Sequence, residues 1–354
     1  MKKAVWICLL AVCCNKLPLG QDELSDRGDF TSKSSNLAVF NSFTESKKIP
    51  LGASSNLALG KNVDYESRVL LNFTFSDTDY QGLDEIKLVL RRNTYFEKDT
   101  IRFSIHLLTS SFTETEATWA KKSNTVTWDT MGGDFETDSL RYVQIAGDSV
   151  LVLFNYVELK RIEASSGLIL VPEDSGFVYF QSREGGNAAV FQLVKNGAVT
   201  NLPLNADCHI LNGPEPFYVE NWIGSGIASR NFVMFIYDSI LAGKKAIYGE
   251  LTFKPEKFFT MRDSVEIGIK ELAEPVSGFD SKLGSLIALE RFSVDDTVFK
   301  IDIVHYIQRM IDNPDSNYGF FVYLTPENYD ISTVKIKNKS YSLEVGYVDP
   351  PGER

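Results

Sequence analysis

Residues 112–135 hold the side chains best suited to chemistry. Phe112, Glu114, Glu116, Trp119 and Trp128 crowd one short stretch, and Gly132-Gly133-Asp134-Phe135 closes it. An exposed indole offers a flat plate to the apolar face of a sugar ring, while nearby polar and charged groups fix its orientation. Trp119 and Trp128 are candidate plates, with Arg68, Glu114 and Asp134 as candidate polar partners. A structural reading stands beside this one. There, Trp119 is a core anchor and Glu114 or Glu116 ties a loop to the fold. Two residues apart on an extended strand, Glu114 and Glu116 would lie about 7 Å apart on one face. That spacing suits a glycosidase pair, but any surface strand provides it.

Other catalytic patterns are missing from the sequence. His106, His209 and His305 are widely spaced, and no Gly-x-Ser-x-Gly, His-Glu-x-x-His or phosphate-loop motif occurs. We therefore assign no catalytic residue and no cofactor, and read the chain as not an enzyme. Cys208 and His209 are adjacent, which is not a metal-ligand spacing, so Cys208 is read as a buried or loop thiol. Asp77 and Asp79 lack the glycine and bidentate glutamate of a calcium loop. They are read as solvated, and no metal ligand is assigned.

Strands must position these residues. Val69, Leu71, Phe73 and Phe75 alternate along one face, and so do Ile101, Phe103, Ile105 and Leu107. Period-two alternation with frequent turn residues marks antiparallel sheets. The 24 Phe and 15 Tyr fit a pleated, half-buried surface. The order then recurs. Ser229-Arg230 echoes Ser67-Arg68, and Val265-Ile269 echoes the strand at 101. A helix is predicted at 154–162 and another at 301–311, the second from the stripe Val304, Ile307, Ile311 and the stop at Asn313-Pro314. Each is followed by a strand led by glycine, at Gly167 and Gly319. The sequence thus predicts an all-β chain of two tandem antiparallel β-sandwich (jelly-roll-like) domains, each with one short helix. The expected boundaries are a polar tether at 21–45, domains at 46–195 and 206–350, and a linker at 196–205.

The N-terminus reads as an export signal. Lys2 and Lys3 precede an apolar run from Ala4 to Cys14, too short to span a membrane, which takes about 20 residues. Leu10-Ala11-Val12-Cys13-Cys14 resembles a bacterial lipobox, making Cys13 and Cys14 candidate lipidation sites. Ordinary cleavage near Gly20, giving a signal peptide of 1–20, is the alternative. The expected location is the cell surface or outside the cell, with membrane contact only through a lipid anchor. With Cys8, Cys13 and Cys14 in this segment, Cys208 alone remains in the body, so a disulfide framework is excluded. The formal charge of −11 argues against nucleic acid as a partner.

The run from Phe112 to Trp119, the second tryptophan, Gly132-Gly133-Asp134 and the upstream Ser67-to-Phe73 strand together resemble the DNRLRE domain family, which overlaps carbohydrate-binding modules of family 96. The resemblance covers roughly residues 45–195. A degenerate copy over 206–350 keeps Ser229-Arg230 and the strand after Asn317 but lacks the Thr-Trp, second Trp and Gly-Gly-Asp. It implies a jelly-roll-like sandwich, secreted or surface-attached, that binds polysaccharide, notably uronate-type polymers. Two functional expectations follow. One is polysaccharide recognition through the first sandwich. The other is a structural or adhesive envelope component without a small ligand.

Overall fold

A computed structural model describes residues 33–75, 80–93, 100–145, 147–214 and 219–349. The export segment with Cys13 and Cys14, the start of the tether, and Asp77 and Asp79 lie outside the described residues. The chain opens with β1 (Lys33–Leu37) and β2 (Val39–Lys48). The first half continues through β3 (Asn56–Lys61), β4 (Glu66–Phe73), β5 (Glu85–Arg91), β6 (Arg102–Leu107), β7 (Arg141–Gln144) and β8 (Ser149–Phe154). Helix α1 (Tyr156–Ala164) leads into β9 (Leu168–Pro172), β10 (Gly176–Gln181) and β11 (Val190–Lys195). Next come β12 (Ala198–Leu202) and β13 (Leu204–Asn212). The second half runs through β14 (Asn221–Ser225), β15 (Ile227–Phe235), β16 (Lys245–Phe253), β17 (Pro255–Phe259), β18 (Ser264–Leu272), β19 (Leu283–Ser293) and β20 (Phe299–Asp302). After α2 (Val304–Asp312) it ends with β21 (Phe320–Leu324), β22 (Ser332–Ile336) and β23 (Ser342–Val348).

All pairings between these strands are antiparallel, and the two halves repeat one plan. The larger sheet of the first half runs β10-β3-β4-β9-β6-β7, and that of the second runs β22-β14-β15-β21-β18-β19 with β17 added outside β22. The smaller sheets run β12-β11-β5-β8 and β1-β23-β16-β20. Each half folds its two sheets over one apolar core, led by Leu71, Phe103 and Phe191 in the first and by Phe253, Ile267 and Phe320 in the second. The expected all-β sandwich plan is therefore present twice.

Both helices occur, slightly downstream of their predicted spans. Phe154 ends β8, and Asn155 caps α1 in a reciprocal box with Glu158. Such a box satisfies two otherwise orphaned backbone N–H groups. Ile301 and Asp302 belong to β20, so α2 begins at Val304 and buries Tyr306, Ile307, Met310 and Ile311. The Gly-led strands also have a physical cause. Gly167 and Gly319 adopt positive φ, and a Cβ at either would strike the carbonyl of Leu71 or Val233, at 2.3 and 2.7 Å. Those two carbonyls belong to β4 and β15, so each glycine does the same work in its own half.

The boundaries need correction. Residues 33–45 do not form a tether, because β1 pairs with β23 and β2 pairs along the whole of β15. Residues 196–205 are not a linker, because β12 pairs with β11 and β13 runs along β4. These segments look like linkers because most of their side chains face solvent. A few residues anchor them, Leu37, Phe43 and Thr44 in one case and Leu202 and Leu204 in the other. The outcome is a reciprocal arrangement. The two strands that precede the first half complete the two sheets of the second, and the two that precede the second half complete the two sheets of the first.

A further apolar cluster joins the halves, with Leu51, Tyr65, Phe177 and Tyr179 packed against Ile227 and Ile331. Hydrogen bonds reinforce it. The Ile331 N–H donates to the Tyr179 hydroxyl at 3.1 Å, and Ser54 and Asn56 donate to the Tyr329 carbonyl. No helix among the described residues is long and apolar enough to cross a membrane.

Candidate functional site

The loop from Leu108 to Leu140 joins β6 to β7 and carries all the motif residues except Arg68. It does not display its tryptophans. Trp119 is 8% exposed and Trp128 is 4% exposed. Both pack with Leu70, Leu108, Ala117, Ile169, Cys208 and Ile210 on the face of the larger sheet opposite its main core. The Trp128 indole N–H donates to the Thr118 carbonyl at 2.9 Å. The guanidinium of Arg68 covers the Trp119 ring at 4.7 Å. That guanidinium is used up locally, since it pairs with Glu66 at 2.7 Å and donates to the Gly132 carbonyl at 2.9 Å. Neither indole offers a free plate, and the Arg68 guanidinium is held by Glu66 and the Gly132 carbonyl. The reading of Trp119 and Trp128 as sugar plates is corrected accordingly. Buried tryptophan is among the largest single contributions a small core can receive.

Asp134 is also an internal tie. Burial alone would raise its pKa. Hydrogen bonds from the Thr130 N–H, Ser110 and Lys122 outweigh that and hold the carboxyl below its usual range. Glu116 accepts from the Asn124 N–H at 3.0 Å, while Glu114 pairs with Arg183 at 2.7 Å. The two glutamates therefore serve different partners.

Glu114 meets two acids that the sequence did not single out. One carboxylate oxygen from each of Glu114, Glu184 and Asp207 lies within 4.8 Å of the others. Burial raises the pKa of Glu114, and burial pushes Asp207 up to about 7 despite a hydrogen bond from the Arg183 N–H. The next residues along β13 are inert. Cys208 packs among the tryptophans, and burial drives its thiol pKa well up. His209 is buried with neither ring nitrogen hydrogen-bonded, and burial lowers it to about 3. Successive strand residues face opposite ways, so Cys208 and His209 do not converge on an ion.

A more open cleft lies elsewhere, at the edge of the same sheet. Tyr142 on β7 is 75% exposed. It borders a cleft of about 330 Å³ lined by Arg102, Val143, Gln144, Glu173 and Asp174. Arg102 and Asp174 form a two-pronged pair at 2.8 Å on both arms. The Arg102 guanidinium beside Asp174 holds that carboxyl below its usual range. Glu173 is fixed from behind by a buried chain. His106 Nδ1 lies 2.9 Å from the Glu136 carbonyl and its Nε2 lies 2.9 Å from the Ser104 hydroxyl, which is in turn 2.6 Å from a Glu173 carboxylate oxygen. Ser104 is almost wholly buried, so it braces Glu173 from within the sheet. The signal for this site was slight: one outward tyrosine in a four-residue strand, flanked by Arg141 and Gln144.

No protein-family model matches the chain, and no curated protein matches it.

Proposed function

We propose that this chain is an exported cell-surface protein that binds polysaccharide, without catalysis, at the Tyr142 cleft of its first sandwich. The observation that carries this reading is Tyr142, an exposed aromatic beside a cleft in which Arg102, Glu173 and Asp174 are already held by hydrogen bonds. A sugar ring stacks its apolar face on the phenol, while Arg102, Gln144, Glu173 and Asp174 take its hydroxyls. Side chains that are held before binding lose little conformational freedom on binding. The resemblance to carbohydrate-binding modules and the apolar run after Lys2 and Lys3 support the surface setting.

The chemistry of the cleft favours a neutral polymer over the uronate type. Arg102 is the cation lining it, and Glu173 and Asp174 leave a local excess of negative charge. A uronate carboxylate would meet repulsion there, in a chain that is itself acidic. Affinity electrophoresis of the full chain through gels containing neutral and uronic polysaccharides tests this. Retardation by a neutral polymer, lost in Tyr142→Ala by about tenfold or more in affinity, is the expected result. No retardation in any gel, or an unchanged Tyr142→Ala, refutes it.

A structural or adhesive envelope role is the second reading. The inward-packed Trp119 and Trp128 favour it, as do the strands exchanged between the two halves. Failure of every polysaccharide to bind would leave that role in place.

A further inference from the structure

We propose that Glu114, Glu184 and Asp207 form a calcium site that fastens the tryptophan loop to the sheet. Three separate segments supply the ligands: the loop at 114, the turn after β10 at 184, and β13 at 207. Their carboxylate oxygens converge within 4.8 Å. The second observation is Asp207 itself. It is fully buried, and its Oδ1 has no hydrogen-bond partner. A buried acceptor left unpaired is costly, and native structures pair nearly all such atoms.

Arg183 does not pair with this oxygen. Its guanidinium reaches Glu114 at 2.7 Å, donates to the Asn205 carbonyl, and stands 3.6 Å from Glu184. Only its backbone N–H touches Asp207, through Oδ2. One guanidinium against three carboxylates leaves an excess of two negative charges. That balance and the all-oxygen donor set suit a hard divalent cation. Calcium fits better than magnesium, since it accepts irregular geometry and carboxylates from flexible segments, while magnesium demands a near-ideal octahedron. Glu184 is exposed and opens a path to solvent.

The test is calorimetric titration of the chelator-treated full chain with calcium chloride, alongside thermal melts with calcium and with chelator. One ion per chain is expected, with a dissociation constant on the order of 10⁻⁴ M, as in extracellular calcium modules. The melting temperature should rise by a few degrees in excess calcium. Asp207→Asn should abolish the response, and the exposed Glu184→Gln should weaken binding about tenfold even if the buried variant folds poorly. Glu116→Gln, outside the cluster, should bind as the parent does. Arg183→Gln should tighten binding, because the guanidinium competes with the ion for Glu114. No heat and no melting shift at about 10 mM calcium would overturn the proposal. So would unchanged binding in both Asp207→Asn and Glu184→Gln, which would place any ion elsewhere.

Discussion

Arg68 and Arg230 occupy the same place in the two halves and meet different surroundings. Arg68 covers Trp119 and donates to the Gly132 carbonyl, whereas Arg230 covers the Phe279 ring at 4.0 Å and donates to the Phe279 carbonyl. Each also holds a glutamate, Glu66 in one case and Glu327 in the other. The sheet beneath explains the difference. In the first half, Leu70 pairs with Ile169 on one side and Cys208 on the other. In the second half, Phe232 pairs with Phe321 and Phe43. Three phenylalanines fill their own surface, and the turn between β18 and β19 can be short. Smaller side chains leave room, and the loop from Leu108 to Leu140 fills it with Trp119 and Trp128. The missing tryptophans of the second half are thus replaced by bulk within the sheet. The loop in turn brings Glu114 to Asp207, whose counterpart on β2 is Ser42. The two halves thus differ at this sheet face in packing volume.

The largest test removes an arm. A chain starting at Ile49 lacks β1 and β2, which serve the second half alone. Hydrogen exchange should show lost protection in β15 and β23 and retained protection in β4 and β11. Equal loss in both halves would mean that the exchanged strands do not divide the molecule as their pairings suggest. The next test compares the two aromatic lids. Trp119→Ala should cost about 3–5 kcal/mol, the usual range for deleting a buried tryptophan. Phe279→Ala, only half-buried, should cost no more than about 2 kcal/mol. Denaturant unfolding measures both, and equal costs would contradict the volume account. Cys208→Phe should be unfavourable alone and partly offset the loss in Trp119→Ala, a coupling that a double-mutant cycle detects.

Asp207 and Ser42 sharpen the comparison through pH. Folding raises the Asp207 carboxyl from an ordinary value to about 7, so the folded state binds that proton more tightly than the unfolded state. Its contribution is therefore complete below about pH 4 and disappears as pH climbs through 7. In chelator, stability should fall across that window by on the order of 3 kcal/mol from this group. Asp207→Ser, which copies the second half, should flatten that part of the profile. A profile that keeps its slope in Asp207→Ser would assign the loss to other acids.

How far the sequence foretold this depends on the range of the interaction involved. Alternation along β4 and β6, the stripe of α2 and the Gly-led strands are local patterns, and they were legible. The partners of β2 and β13 were not, because a polar, half-exposed strand looks the same as a linker until its distant partner is known. Glu114 was legible as a tie, but its partner Asp207 lies on β13, far along the chain and beside the more conspicuous Cys208 and His209. The tryptophans misled for a physical reason: an indole suits a sugar plate and a core equally well, and only the small residues beneath decide between them. Those small residues become neighbours only across strand pairs.

Tyr142 offers the smallest effect on stability and the sharpest contrast with Trp119. It pairs across β6 with Ser104, and the matching position in the second half is Leu289, opposite Gly268 on β18. Both side chains are exposed, at 75% and 46%. A leucine keeps apolar surface at that place but has no flat ring on which a sugar can stack. Tyr142→Leu therefore makes the first sheet edge resemble the second. Since little is buried there, the melting curve should stay within about 0.5 kcal/mol of the parent, as for ordinary surface substitutions. Affinity for the retarding polysaccharide should still fall about tenfold, a difference of about 1.4 kcal/mol that only the bound state feels. A variant that binds as well as the parent would show that the phenol ring is not the plate. A variant that melts many degrees lower would show that Tyr142 supports the edge strand, which its exposure argues against.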